Sequence, residues 1–223
     1  MKTMHVDGGF LEELDHPIIQ KIEFHYQDPS IVFFQTGTKK NVHIPCNPYH
    51  SQYGIAASED GNLLFQGNWY AKDGLIAYDI VEDRLKWKMN LSHVSDIVVY
   101  NETLVVALRE KKILQINTSD CSVVRELQSG TIERIFQMDK KRALIDRVKG
   151  KLCVVDLGSL EVISSFPNRI VNPGHFLSLM IHSAHFENDA VVIEGVEGND
   201  AIHDLGSKVL LQPLQPFRRV LTE

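Results

Sequence analysis

The stretch LIAYDIVEDRLKWKM, at Leu75–Met89, has two related copies further along the chain. Each copy consists of a short apolar strand, an Asp or Asn, a turn of four or five residues and a second strand. The later copies are ILQINTSDCSVVREL, at Ile113–Leu127, and LCVVDLGSLEVISSF, at Leu152–Phe166. This self-similarity predicts a repeat architecture in which each copy forms one structural unit.

Polar residues mark the same point in each copy. Asp79, Asn117 and Asp156 follow the first strand and lie 38 and 39 residues apart. A looser fourth copy, AIHDLGSKVLL, places Asp204 a further 48 residues along. We assign these four residues, together with Trp87 of the first copy, to the structural repeat.

Two more strands, joined by a turn, precede each copy. GIAAS and NLLFQG flank the turn at Glu59–Gly61, and DIVVY and LVVALR flank the turn at Asn101–Thr103. Four short strands in about 40 residues, with turn residues between them, are typical of a propeller blade. The sequence therefore predicts an all-β fold, a small β-propeller of about five four-stranded blades, with four blades as the alternative.

We expect a single domain over residues 1–223, with complete blades near 52–90, 93–129, 131–167 and 174–212. A partial blade near 19–47 lacks its fourth strand in this interpretation. The tail at 213–223 would supply that strand and close the ring through the chain ends, which removes open sheet edges. The one candidate for a helix is short, at 9–20, and Pro17 interrupts it.

The segment from Ala77 to Trp87 resembles the repeat of quinoprotein-type propellers, A-x-D-x-x-T-G-x-x-x-W. Ala77, Asp79 and Trp87 match this pattern, whereas Glu82 and Asp83 stand where the family has Thr-Gly. The resemblance implies that Trp87 packs between neighbouring blades. It does not imply the quinone cofactor, because the enzymes that use it resemble larger, eight-bladed rings with adjacent cysteines. We therefore expect no cofactor.

Composition restricts the classes of partner. The net charge of −6 argues against general binding to nucleic acid or to an anionic membrane, and it favours a basic partner. The opening segment, residues 1–16, is too acidic for a secretory signal, and no apolar run is long enough to span a bilayer. Three widely spaced cysteines suggest neither a disulfide framework nor a zinc site. We expect a cytoplasmic protein.

The loop at Gly67–Gly74 is the main candidate for a partner-binding surface. It places Trp69 and Tyr70 in a polar turn that also contains Asp73. Exposed Trp and Tyr are typical of protein interfaces. The alternative is that one of these rings folds back between blades.

Two other patterns have ordinary structural interpretations. His182 and His185 have an H-x-x-H spacing, but residues three apart on a strand face opposite sides unless a bulge intervenes. The basic cluster has a solvated hairpin as its first interpretation and phosphate or nucleic-acid contact as its second. Its members are Lys140, Lys141, Arg142, Arg147, Lys149 and Lys151.

No stretch carries a catalytic signature, since a nucleophile elbow, a P-loop and a glycine-rich dinucleotide motif are all missing. Two functions remain. The first is a non-catalytic scaffold that binds another protein, as a bacterial immunity-type inhibitor would. The second is a small glycan-binding or glycoside-hydrolysing propeller with a central pocket, which inward-facing carboxylates would favour.

Overall fold

The computed structural model describes the backbone of residues 2–6, 9–13, 16, 18–25, 30–35, 38–43, 54–67, 74–147, 151–167, 177–188, 190–199 and 215–221. These residues are arranged as two compact units, at Met1–Ile135 and Phe136–Glu223. Within the described ranges all regular structure is β, and the strands form five antiparallel sheets. The all-β prediction is confirmed.

The first unit contains three complete sheets. The N-terminal sheet has five strands: β1 (Lys2–Val6), β2 (Gly9–Glu13), β3 (Ile19–His25), β4 (Ser30–Gln35) and β5 (Thr38–His43). The second sheet consists of β6 (Ile55–Ala57), β7 (Leu63–Gly67), β8 (Leu75–Asp79) and β9 (Arg84–Met89). The third consists of β10 (Val94–Tyr100), β11 (Thr103–Leu108), β12 (Lys112–Asn117) and β13 (Val123–Gln128). In every sheet the strands pair in chain order.

Two further sheets follow. One consists of β14 (Ile132–Gln137), β15 (Arg142–Arg147), β16 (Lys151–Asp156) and β17 (Val162–Pro167). The last is a three-stranded sheet of β18 (Leu177–Glu187), β19 (Ala190–Asn199) and β20 (Gln215–Leu221).

The middle strands are apolar at consecutive positions rather than at alternate ones. In β8, β12 and β16, four consecutive residues of each strand are buried. A strand has this burial pattern when both faces of its sheet are covered. The outer strands β9 and β13 are largely exposed by contrast. Between the second and third sheets lies an apolar core that includes Phe65, Leu75, Val94, Leu104 and Ile116. Stacked sheets therefore produce the repeated apolar runs of the sequence.

The N-terminal and C-terminal segments differ from the sequence predictions. Residues 2–13 form the hairpin β1–β2, and β2 pairs with β3, so 9–13 is a strand and not the start of a helix. The tail strand β20 pairs with β19 instead of completing the N-terminal sheet. Two side chains support this pairing: Leu221 packs against the core of the last sheets, and Arg218 contacts the carboxylates of Glu187 and Glu194. Closure of a ring stays a prediction.

His16 joins the N-terminal sheet to the second sheet. Its Nδ1 accepts hydrogen bonds from the backbone N–H groups of Ile18 and Ile19, at 3.1 and 3.0 Å. Its Nε2 donates to the carbonyl oxygen of Ser58, at 2.8 Å. Ile19 is fully buried, and Ile18 lies so close to Gly61 that a Cβ there would be 2.9 Å from it. The imidazole thus ties the start of β3 to the turn between β6 and β7.

We expect His16→Ala to lower the free energy of unfolding by about 2 kcal/mol, because two backbone donors and one acceptor lose a half-buried partner. Chemical denaturation measures the change. The control is His185→Gln, at a half-exposed histidine on β18, for which we expect a change within about 0.5 kcal/mol. Equal effects of the two substitutions would contradict this role of His16.

Candidate protein-binding surfaces

The repeated polar residues start equivalent turns after β8, β12 and β16. Oδ1 of Asp79 accepts hydrogen bonds from the backbone N–H groups of Val81 and Glu82. Asn117 and Asp156 accept from the second residue after them in the same way. The fourth residue after each has a left-handed backbone conformation, with φ of 55°, 56° and 59° at Asp83, Cys121 and Leu160. The polar residue of each of these three copies therefore begins a turn. Asp204, in the fourth copy, lies outside the described residues.

Trp87 packs between two sheets of the first unit. Its ring lies 6.1 Å from the ring of Phe65, centroid to centroid. Its Nε1–H donates a 2.8 Å hydrogen bond to the carbonyl oxygen of Thr118, in the turn between β12 and β13. A partly buried indole N–H usually finds such an acceptor, and this one belongs to the neighbouring sheet. Trp87 thus contributes to the contact between sheets, as the resemblance implies.

The predicted aromatic loop is not among the described residues. Trp69, Tyr70 and Asp73 fall in the range 68–73, so their role in partner binding stays a prediction. The H-x-x-H pattern lies at a register shift of β18 between Ile181 and Ser183. Only the backbone of His182 is described, and the side chains that are described hold no group of three potential metal ligands.

In the second and third sheets, a backbone hydrogen bond joins the two turns at one edge of the sheet. Ile80 N–H donates to the Asn62 carbonyl, at 2.8 Å, and Thr118 N–H donates to the Glu102 carbonyl, at 3.0 Å. In the second and third sheets these turns are 58–62, 80–83, 101–102 and 118–122, and we call them together the acidic edge. Their exposed carboxylates belong to Glu59, Asp60, Glu82, Asp83, Glu102 and Asp120.

Hydrogen bonds lower the pKa of two carboxyl groups of the acidic edge, those of Asp60 and Asp120. The Ser58 hydroxyl and the Asn62 N–H donate to Asp60 and hold the pKa of its carboxyl below the usual range. The Ser122 hydroxyl lowers the pKa of Asp120 in the same way. Within the described turns, Arg84 at the start of β9 is the basic neighbour, and it forms an exposed ion pair with Glu82. This excess of carboxylates suits a basic partner.

An apolar side chain lies within the acidic edge. Val81 stands between Asp79 and Glu82 and is 68% exposed, the most exposed large apolar residue of the described part of the chain. Sequence reasoning missed this residue: the repeat places Val81 in a turn, but the exposure of its side chain is visible only in the structure. An exposed apolar group with charged neighbours is a common feature of interaction surfaces.

The corresponding turns of the second unit have mixed charge. There, Lys140 and Lys141 lie beside Asp139, and Arg142 forms an ion pair with Asp139 at 2.6 Å. The Arg142 guanidinium also lies 3.7 Å from the centre of the Phe186 ring. Within the basic cluster, Arg142 thus has local partners. Lys149 lies outside the described residues.

The carboxyl group of Asp96 connects β10 and β14, which are the first strands of two successive sheets. Its Oδ1 accepts from Ile97 N–H, at 2.9 Å, and its Oδ2 accepts from Ile135 N–H on β14, at 2.8 Å. Burial raises the pKa of Asp96 to about 7, although both hydrogen bonds and the charge of Arg134 favour the ionised form. Glycoside hydrolysis needs two carboxyl groups about 5–9.5 Å apart. Asp96 is one carboxyl group of this kind, and both of its oxygens already accept hydrogen bonds from the backbone. The hydrolase alternative stays a prediction.

Comparisons with solved structures support the propeller fold. The chain superposes on the β-propeller domain of Cps50 (Swd1) from Myceliophthora thermophila with a TM-score of 0.61, at 14% identity, covering 97% of this chain and 73% of that one. It is similar to BamB from Moraxella catarrhalis, with a TM-score of 0.58, at 10% identity, covering 89% and 64%. It also resembles the computationally designed protein Ika8, with a TM-score of 0.57, at 13% identity, covering 86% and 54%.

These similarities confirm the predicted fold class, and the quinoprotein-like repeat of Leu75–Met89 therefore lies in a fold of propeller type. The chain spans less than two thirds of the BamB and Ika8 chains. No family model and no curated protein matches the sequence. Across the described residues, no helix has the length and apolar character needed to cross a membrane.

Proposed function

We propose that the chain is a non-catalytic scaffold that binds another protein through the acidic edge. The observation that carries this proposal is the exposed Val81, which lies among the carboxylates of turns 58–62, 80–83, 101–102 and 118–122. Carboxylates steer a basic partner to the surface, and an apolar side chain supplies area that is dehydrated on contact. The turns are tied to each other by backbone hydrogen bonds, so the surface is ordered before binding.

The same proposal extends to the kind of partner and its location. A small acidic propeller in the cytoplasm suits a stoichiometric inhibitor, such as a bacterial immunity protein that covers a basic toxin. Size and net charge support this step. Trp69, Tyr70 and Asp73 belong to the proposal as a second contact region.

The experiment is capture of partners from the native lysate by tagged chain, followed by quantitative mass spectrometry. We expect one protein in stoichiometric amount, with recovery that falls as ionic strength rises. In the double variant Val81→Ser with Glu102→Lys, recovery should fall about tenfold or more.

The matched control is Lys88→Glu, at an exposed position near the far end of β9. Capture by this variant should equal that of the wild type. Trp69→Ala and Tyr70→Ala test the second region separately. If no protein is retained, or if all variants retain it equally, the acidic edge is not the binding surface and a glycan and glycosidase screen becomes the appropriate test.

A further inference from the structure

The outer strands of three sheets share one irregularity. In β9, β13 and β17 the register against the preceding strand shifts by one residue, between Ala77 and Tyr78, between Gln115 and Ile116, and between Val154 and Val155. The extra residues in the outer strands are Lys86, Val124 and Ile163. A bulge twists an edge and protects it from pairing with other strands. Since all three strands have the bulge, it does not distinguish one edge from another.

Charge does distinguish them. β9 carries Arg84, Lys86 and Lys88, and β13 carries Arg125 and Glu126. β17, with the sequence VISSFP, carries no charged residue. Charged side chains on an edge strand, lysine above all, oppose the addition of a further strand. Among the described outer strands β9, β13 and β17, the last lacks this protection.

The exposed side chains of β17 are apolar. Val162 is 45% exposed and Ile163 is 55% exposed, although both belong to a strand whose backbone edge has no further strand beside it in the described sheets. An unpaired backbone edge with exposed β-branched residues is the feature to which an additional strand binds.

Two-fold symmetry favours β17 over β9 and β13. In an antiparallel pair made by a two-fold axis, the residue on the axis faces itself, and residues at equal distances on either side face each other. In β9, an axis at Leu85, Lys86 or Trp87 places basic residues opposite each other. In β13, an axis at Arg125 or Glu126 does the same for like charges, whereas an axis at Val124 or Leu127 does not. Like charges directly opposite are destabilising. In β17, every such register is free of charge, and with Ser164 on the axis Ile163 faces Ser165 of the second copy.

We propose that two copies of this chain associate reversibly through antiparallel pairing of their β17 edges. The interface is one strand from each copy, so the dimer forms only at high protein concentration. The net charge of −6 repels the copies, and dimerisation therefore strengthens as salt is added. This salt dependence is opposite to that expected for capture of a basic partner at the acidic edge. An experiment can therefore contradict one of the two proposals without contradicting the other.

The test is sedimentation velocity over a wide concentration series, at low and at high salt. We expect Ile163→Lys to weaken dimerisation about tenfold or more, because it gives β17 the residue that β9 has at the same position. Val124→Lys is the matched control, at the equivalent bulge of β13, where Val124 is 46% exposed. It should leave dimerisation unchanged.

Both substituted positions are exposed, so denaturation midpoints should match the wild type and confirm that the variants fold. A wild-type chain that stays monomeric at the highest concentration in high salt would overturn the proposal, even if β17 accepts a strand of another protein. An equal loss of dimer in Ile163→Lys and Val124→Lys would also overturn it.

Discussion

In Asp96→Asn, the free energy of unfolding should lose the pH dependence that the wild-type carboxyl imposes between pH 4 and 8. The pKa of Asp96 is raised from 3.8 to about 7 by burial. A carboxyl with a raised pKa in the folded state contributes most stability below its unfolded pKa, and this contribution is lost as pH rises through the folded value. The stability of the wild type relative to Asp96→Asn should therefore fall by about 4 kcal/mol between pH 4 and 8, since one pKa unit corresponds to about 1.4 kcal/mol.

The measurement is a series of denaturant titrations of both proteins over this pH range. Other titrating groups are common to the two proteins and cancel in the difference. A constant offset is expected as well, because the Asn amide replaces one of the two acceptors for Ile97 N–H and Ile135 N–H. A difference that is independent of pH would show that the Asp96 carboxyl is not desolvated in the folded protein.

Phe65→Ala should lower the free energy of unfolding by about 3–5 kcal/mol, the usual cost of removing a fully buried phenyl ring. Phe65 is 0% exposed, and its ring packs against Trp87 and the core between the second and third sheets. The cavity would lie where the two sheets meet, so the surrounding strands have little room to collapse into it. Urea denaturation midpoints measure the change.

The milder substitution Phe65→Leu tests whether the core needs only apolar volume at this position or the phenyl ring itself. It keeps most of the apolar contact and should cost about 1.5 kcal/mol or less. A loss below about 1 kcal/mol in Phe65→Ala would contradict the packing of this core, whereas a Phe65→Leu protein that fails to fold would point to a specific requirement for the ring.

The repeat was predictable because its structure is local. The turns after β8, β12 and β16 rest on one polar side chain and the backbone N–H groups that follow it, so Asp79, Asn117 and Asp156 mark them in the sequence. The apolar runs of the middle strands were equally visible, because strands covered on both faces do not alternate.

The terminal segments were less predictable because their pairing depends on distant residues. β1 and β2 mix polar and apolar residues, and their assignment as strands comes from pairing with each other and with β3. The position of β20 follows from contacts of Arg218 and Leu221 with residues about 30 positions earlier. Long-range pairing of this kind leaves no local signal.

The candidate surfaces were only partly predictable for the same reason. The sequence indicates a mild acidity, but the concentration of carboxylates at one edge arises because two turns of each sheet meet there. Asp96 is one of many acidic residues in the sequence, and its raised pKa comes from burial between β10 and Ile135.

The most direct test of the binding surface is hydrogen–deuterium exchange of the chain, alone and with its captured partner. We expect the partner to slow exchange in turns 58–62, 80–83, 101–102 and 118–122, and to leave the far ends of β9 and β13 unchanged. Protection confined to other segments would contradict the assignment of the acidic edge as the surface through which this propeller binds another protein.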